Sequence, residues 1–139
     1  MAVFVFVDSS AQLPLLNDSD PLHIEATAHW HRLLDGIKAG EIAAITHSGV
    51  VSEAVSLVQR RLGMASVRQL NDRILRLLHI VWVDEELHDR AFAAMLAADR
   101  RRVSLVDWTS FELMRSRGIA HALAFDTHFE ERGFTLPWG

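Results

Sequence analysis

The run AVFVFV at residues 2–7, followed directly by Asp8, constrains the fold more than any other feature of the chain. β-branched and aromatic residues occupy consecutive positions, which predicts a strand buried on both faces, as in a parallel sheet covered by helices. In open sheets of that kind, ligands bind beyond the carboxyl ends of the strands. Asp8 is therefore predicted to stand at the edge where a functional site would form.

The rest of the chain alternates between short apolar runs and amphipathic helical patterns. Further strands are predicted at residues 42–46, 79–83 and 119–125. Five helices are predicted. The first runs from an Asp20 N-cap with Pro21 to Gly40, the second from Ser48 to Gly63, and the third from a capping box of Ser66 and Gln69 through Leu70, Ile74, Leu77 and Leu78. The fourth covers residues 84–98, and the fifth runs from Ser104 to Gly118. A short turn at 127–133 and an extended segment at 134–136 follow. This alternation predicts an α/β fold with right-handed crossovers, a mostly parallel central sheet and helices on both faces.

Composition limits the classes of protein that fit. A chain of 139 residues with 50% hydrophobic residues suits one compact domain spanning residues 1–139. Cysteine is absent, which excludes disulfides and thiolate zinc sites and favours a cytoplasmic setting. We expect neither a signal peptide nor a membrane span. The net charge of −4 argues mildly against nucleic acid, although arginine clusters at 60–61 and 100–102 remain available, either as solvated helix ends or for phosphate contacts.

Four acids fall near the same predicted strand-to-helix edge: Asp8, Glu53, Asp107 and Asp126. Each alone has an ordinary explanation as a helix cap, a first-turn acid or a surface glutamate. Their coincidence favours a shared site, because carboxylates from separate segments are the ligands that Mg²⁺ and Mn²⁺ prefer. Four carboxylates ~5 Å apart would each repel another by ~3 kcal/mol at an effective dielectric near 20, so such a cluster needs a cation.

Other phosphate chemistries lack their signatures in this chain. Ser10 stands where a haloacid-dehalogenase-type enzyme would carry its second aspartate, and the only lysine, Lys38, comes too early for a response-regulator receiver. No glycine-rich nucleotide-binding loop is present. The histidines show no pair at ligand spacing. His128, two residues after Asp126, could contact a substrate phosphate or could be a turn histidine without function.

The residues resemble the pattern of PIN-domain proteins, and especially the VapC toxins of toxin–antitoxin pairs, over nearly the whole chain. The resemblance rests on the opening strand with Asp8-Ser9-Ser10, on Glu53 in VSEA before QRRLG, on SLVD with Ser110-Phe111, and on FDTHF followed by Gly133-Phe134. The resemblance implies a three-layer α/β/α PIN-like fold.

The resemblance also implies an endoribonuclease in which Asp8, Glu53, Asp107 and Asp126 hold one or two Mg²⁺ or Mn²⁺ ions and metal-activated water hydrolyses RNA phosphodiesters. Ser10 resembles the hydroxyl residue that supports the first aspartate. Ala124 departs from the Thr or Ser that many relatives carry two residues before the last aspartate. Only Glu130 and Glu131 are available for the further acid found in some relatives.

As partners, the resemblance implies a cognate VapB-like antitoxin, which we expect to place an arginine across the carboxylates, and a homodimer. The helices with Trp30 or with Leu70, Ile74 and Leu77 are candidates for the shared surface, unless these residues fill the core. Two other functions remain open. One is a PIN-like domain that binds RNA or protein without cutting, and the other is a metal-dependent phosphatase.

Overall fold

The computed structural model describes residues 2–138. The strands are β1 (Val3–Val7), β2 (Ile42–His47), β3 (His79–Val81) and β4 (His121–Leu123). The helices are α1 (Ser9–Leu16), α2 (His23–Lys38), α3 (Ser48–Arg61), α4 (Met64–Gln69), α5 (Glu85–Ala98), α6 (Leu105–Arg117) and α7 (Thr127–Glu131), with a π-helical turn at Leu70–Ile74 and a 3-10 turn at Leu75–Leu77 after α4. Within residues 2–138, no helix is both long enough and apolar enough to cross a membrane.

The four strands form one sheet in the order β3-β2-β1-β4, and every pairing is parallel. The first strand of the chain therefore lies inside the sheet, where Val5 pairs with Ala44 on one side and with His121 on the other. All four strands point their carboxyl ends to the same edge. The residues that follow β1 and β4, which are neighbours in the sheet, are brought together there.

Helices cover both faces of the sheet and enclose two cores. Val5 and Val7 face the first core, which α1, α2, α3 and the segment after α4 complete. Phe6 faces the second core, which is built mainly from α5, α6 and α7. The alternation along β1, with all three side chains fully buried, explains why the strand is apolar at consecutive positions. The predicted α/β class with three layers and a parallel sheet is confirmed.

Helix α1 was not predicted from the sequence. Residues 9–16 form α1 directly after Asp8, whose side chain caps the helix by accepting the backbone N–H of Ser10. Pro14 lies inside this helix, where proline lacks the N–H of a normal helical hydrogen bond. Because of this proline and the lack of an amphipathic pattern, the segment does not read as a helix in the sequence.

Several predicted boundaries are wrong. The second helix begins at His23 rather than Pro21, because Asp20 caps a preceding turn through the N–H of Leu22 at 2.8 Å. Ser66 is inside α4 and caps nothing, since the helix restarts at Met64 after Gly63. The third and fourth strands are shorter than predicted, and the turn predicted at 127–133 contains α7.

Phe111 provides a test of the second core. Its ring lies 5.0 Å from Phe129, 5.6 Å from Trp108 and 6.0 Å from Phe134 between centroids, and the residue is fully buried. We expect Phe111→Ala to lower the free energy of unfolding by about 3–5 kcal/mol, because it removes a large apolar side chain and leaves a cavity. Urea denaturation measures the loss. The control Phe92→Ala changes a phenylalanine that is 42% exposed and should cost less than about 1 kcal/mol. Equal losses would contradict this assignment of the core.

Candidate functional site

The four acids predicted from the sequence all line one cleft of about 450 Å³ at the carboxyl edge of the sheet. Asp8 directly follows β1, and Asp126 caps α7 three residues after β4. Glu53 lies in the second turn of α3, and Asp107 lies in the first turn of α6. Acids separated by up to 118 positions in the chain thus share one opening.

Ser10 connects the first acid to the last. Its hydroxyl donates to Oδ2 of Asp8 at 2.7 Å, and its oxygen accepts the backbone N–H groups of Phe125 at 2.9 Å and Asp126 at 3.3 Å. The side chain predicted to support Asp8 therefore lies against both Asp8 and the backbone before α7. This arrangement anchors the Asp126 segment through Ser10 at a place where Ala124 offers no hydroxyl.

Two other serines orient Glu53 and Asp107. The hydroxyl of Ser9 donates to Oε1 of Glu53, a contact for which the sequence carried no signal beyond the position of Ser9 after Asp8. Ser104 and Asp107 form a reciprocal capping box at the start of α6, the helix that the sequence predicted from Ser104. The Asp107 N–H donates to Ser104 Oγ at 3.1 Å, and the Ser104 N–H donates to Oδ2 of Asp107 at 3.4 Å.

The cleft is electrostatically unfavourable for carboxylates alone. Asp8 is 2% exposed, and burial raises the pKa of its carboxyl to about 7, with smaller contributions from the charges of Asp107 and Glu53. Burial likewise raises the pKa of Asp107, and the charges of Asp126 and Glu53 raise it further. Desolvation and like-charge repulsion therefore both disfavour the ionised forms.

The donor set fits a hard divalent cation. Oδ1 of Asp8 is buried and accepts no hydrogen bond within the described part of the chain, so an acceptor oxygen lacks a partner inside the cleft. Ligand atoms of Asp107, Asp126 and His128 all lie within 4.8 Å of one another. Asp8 and Glu53 line the same cleft outside that tight group. Carboxylate oxygens from four segments are the donors that Mg²⁺ and Mn²⁺ take.

Comparison with known proteins agrees with this architecture. The family model of the PIN domain matches residues 5–135. The chain belongs to the PIN-domain family. Curated relatives from two strains of Mycobacterium tuberculosis, CDC 1551 / Oshkosh and ATCC 25618 / H37Rv, both named 23S rRNA-specific endonuclease VapC20, are 32% identical over 131 residues, which is 94% of this chain and 95% of theirs. The crystal structure of M. tuberculosis VapC20, described as a sarcin-ricin loop cleaving toxin, matches with a TM-score of 0.79 and 30% identity over 94% of this chain and 95% of that one. The resemblance predicted from the sequence is confirmed.

In this PIN domain, a buried histidine joins the helices that carry Glu53 and Asp107. His47 is fully buried at the end of β2, and its Nδ1 accepts the N–H groups of Gly49 at 3.0 Å and Val50 at 3.3 Å, which caps α3. Nε2 therefore carries the proton and donates to the hydroxyl of Ser110 in α6 at 2.8 Å. The hydrogen-bond partners of His47 could not be predicted from the sequence, because neither contact follows from spacing along the chain.

Gly49 is required for this cap. A Cβ on Gly49 would lie 2.9 Å from Cε1 and 3.0 Å from Nδ1 of the His47 ring. The ring packs against Phe6, whose centroid lies 5.8 Å away, and moving it aside would break its hydrogen bonds to the N-terminus of α3 and to Ser110. The glycine that follows Ser48 thus permits the close approach of the imidazole to the helix N-terminus.

His47 predicts a pH dependence of stability. Burial lowers the pKa of His47 to about 4 from the ordinary 6.5, so the folded protein keeps the ring neutral where the unfolded chain protonates it. The unfolded state therefore binds more protons between these values. The contribution of His47 to stability should be constant above pH 6.5 and should fall by about 3 kcal/mol on acidification towards pH 4.

The measurement is urea unfolding of metal-free wild type and His47→Asn between pH 7.5 and 4.5. Asparagine retains a capping oxygen and does not titrate, and the other groups cancel in the difference between the two proteins. The difference should shrink as the pH falls. A difference that does not change with pH would show that His47 is not a buried neutral group.

Proposed function

We propose that this protein is a metal-dependent endoribonuclease that acts as the toxin of a toxin–antitoxin pair. The observation that carries the proposal is the convergence of Asp8, Glu53, Asp107 and Asp126 in one cleft, with the buried Oδ1 of Asp8 left without a hydrogen-bond donor. Membership of the PIN family and likeness to a toxin over 94% of the chain support this class of activity. A cluster of this kind is built to hold a cation and to receive a phosphodiester.

Within that function, the four carboxylates would hold one or two Mg²⁺ or Mn²⁺ ions. When bound, such an ion supplies charge neutralisation and activates water for attack on a phosphodiester. The chain's own contribution is orientation: Ser10 fixes Asp8, Ser9 fixes Glu53, and the capping box fixes Asp107. The imidazole of His128, whose Nε2 lies 3.8 Å from Oδ1 of Asp126, would donate a hydrogen bond to a substrate phosphate oxygen.

Ribosomal RNA is the proposed substrate. The curated relatives are named as 23S rRNA-specific endonucleases, and the solved relative is described as cleaving the sarcin-ricin loop. The likeness covers both chains almost completely, so the surfaces around the cleft are included in it. We therefore propose 23S rRNA, and within it the sarcin-ricin loop, as the first target to test.

Asp8→Asn should abolish cleavage of a sarcin-ricin loop RNA in the presence of Mn²⁺, because it removes ligand charge with little change in volume. Cleavage is followed by gel electrophoresis with and without EDTA. Asp8→Asn should also lose most of the rise in melting temperature that Mn²⁺ gives the wild type through binding to the native state. Far-UV circular dichroism should be unchanged.

The matched control is Asp20→Asn, which removes a charge from the same cleft but keeps an oxygen that can cap the Leu22 N–H. It should cut RNA at close to the wild-type rate. Full activity of Asp8→Asn would refute the assignment of the site. Turnover of a generic phosphomonoester without RNA cleavage would identify a phosphatase, and RNA binding without any turnover would identify a non-catalytic PIN domain.

We propose that a cognate VapB-like antitoxin silences the protein with a segment that crosses the acidic cleft. An arginine in that segment would pair bidentately with the carboxylates and take the place of the metal charge. Leu13, Leu22 and Leu57 line the same cleft and offer apolar contacts beside the acids. These contacts would supply affinity that a single exposed ion pair lacks.

Expression of this protein alone should arrest bacterial growth, and co-expression with the product of the neighbouring antitoxin gene should restore it. Asp8→Asn should be harmless without any partner, which is the control for toxicity that does not depend on the cleft. Growth curves and viable counts provide the readout. If the wild type is harmless at high expression while the purified protein still cuts RNA, a role in RNA processing replaces the toxin role.

We further propose that the chain is one domain, that it acts in the cytoplasm, where ribosomal RNA is found, and that it forms a homodimer. Trp30, Leu70 and Ile74, three of the predicted contact residues, are buried in the first core and are not free for a partner. Leu77 is 42% exposed and Met64 is 50% exposed, both in the stretch from α4 to the 3-10 turn. This stretch is the surface we propose for the second copy.

A further inference from the structure

Three arginines gather on the surface formed by the loop before α6, the last turn of α6 and the end of α7. The side chains of Arg100 and Arg115 are 52% and 59% exposed, and Arg132 is also exposed. Partial burial and then the charges of Arg115 and Arg100 lower the pKa of Arg132. The charges of Arg100 and Arg115 therefore oppose that of Arg132, and the charges of Glu112 and Glu131 offset part of this repulsion. We name these three residues the arginine triad.

Arg132 is held in place rather than free in solvent. The centre of its guanidinium lies 4.2 Å from the centroid of the Trp108 ring and 5.3 Å from that of Phe111, both buried in the second core. Stacking on aromatic faces restricts a guanidinium while its N–H groups remain available at the edge. Within residues 2–138, no carboxylate lies at salt-bridge distance from Arg132, whereas Arg100 pairs with Glu131 and Arg115 with Glu112.

Helix α7 connects the cleft to the arginine triad, since Asp126 caps its start and Arg132 follows its end. Trp108, which supports Arg132, directly follows Asp107 in α6. A series of contacts also leads outward from the acids: Asp126 to His128 at 3.8 Å, His128 to Glu131 at 3.6 Å, and Glu131 to Arg100 at 3.5 Å. The negative cleft and the positive surface are thus neighbours joined by α7.

We propose that the arginine triad is a binding surface for RNA phosphates that flank the phosphodiester in the cleft. The proposal rests on the proposed function. Guanidinium groups match phosphate oxygens bidentately, and phosphate contacts position a nucleic acid without reading its sequence. A chain of net charge −4 with acids in its cleft repels RNA overall, so a local cluster of cations beside the cleft is what draws the strand in. Location next to the acids favours the substrate over an acidic protein segment as the occupant.

The experiment compares wild type, Arg132→Gln and Arg100→Gln with the control Arg32→Gln. Arg32 is an exposed arginine in α2 whose guanidinium centre lies 5.4 Å from the centroid of the Trp138 ring, and α2 packs against the first core on the opposite face of the sheet. Binding of a sarcin-ricin loop RNA is measured by fluorescence anisotropy in EDTA between 50 and 200 mM salt, and cleavage kinetics are measured with Mn²⁺. Melting temperatures verify that each variant is folded, and Arg100→Gln alters no aromatic stacking.

Removing one phosphate contact should weaken RNA binding about tenfold at low salt, which corresponds to about 1.4 kcal/mol. The slope of log K against log salt should decrease by about 0.7–0.9. KM should rise, whereas kcat should stay within about twofold of the wild-type value, since these residues lie outside the carboxylate cluster. Arg32→Gln should change none of these values.

Unchanged salt slopes and KM in both triad variants would overturn the proposal while leaving the proposed function intact. Loss of antitoxin binding with normal RNA binding would overturn it in favour of a protein-docking surface. If the wild type cuts no RNA, the proposed function fails, and the salt slopes in EDTA still decide whether the arginine triad contacts RNA phosphates.

Discussion

Desolvation and mutual repulsion both oppose the gathering of four carboxylates in one cleft, and contacts from the surrounding segments hold the carboxylates in place against these unfavourable energies. Serine hydroxyls hold Asp8 and Glu53, a capping box holds Asp107, and the cap of α7 holds Asp126. These contacts come from four separate segments that meet only because parallel strands end at one edge. The fold therefore maintains an unfavourable arrangement of charge that a bound cation would relieve.

One short helix, α7, separates the acidic cleft from the arginine triad. The N-terminus of α7 is capped by Asp126 in the cleft, and Arg132 directly follows the helix. His128 and Glu131 lie between them and contact both sides. Five residues of helix thus separate a surface rich in carboxylates from one rich in arginines. Net charge alone, at −4, conceals this division.

The sequence predicted the parallel sheet and the four acids because both depend on local signals. A continuous apolar run marks a strand buried on two faces, and an acid at its end marks the functional edge. Helix α1 was missed because it contains Pro14 and lacks a periodic apolar pattern. The segment through Leu70, Ile74 and Leu77 was correctly predicted as helical, but the pattern does not distinguish π-helical and 3-10 turns from an α-helix. The role of His47 was missed because its partner Ser110 lies 63 positions away. Contacts across such distances leave no trace in spacing.

The hydrogen bonds of Ser10 also bear on the stage of folding at which the four acids come together. The β1–β4 pairing and the contact from Ser10 to the N–H of Asp126 span more than a hundred residues, so the chain must close its longest loop before the acids meet. Such non-local closure comes late in folding, because its entropic cost must be met before its contacts are gained. A chain still emerging from the ribosome lacks the final acid and the strand that positions it. Under the proposed function, the nascent protein would therefore stay inert towards the ribosome that makes it until residue 126 has been released and docked.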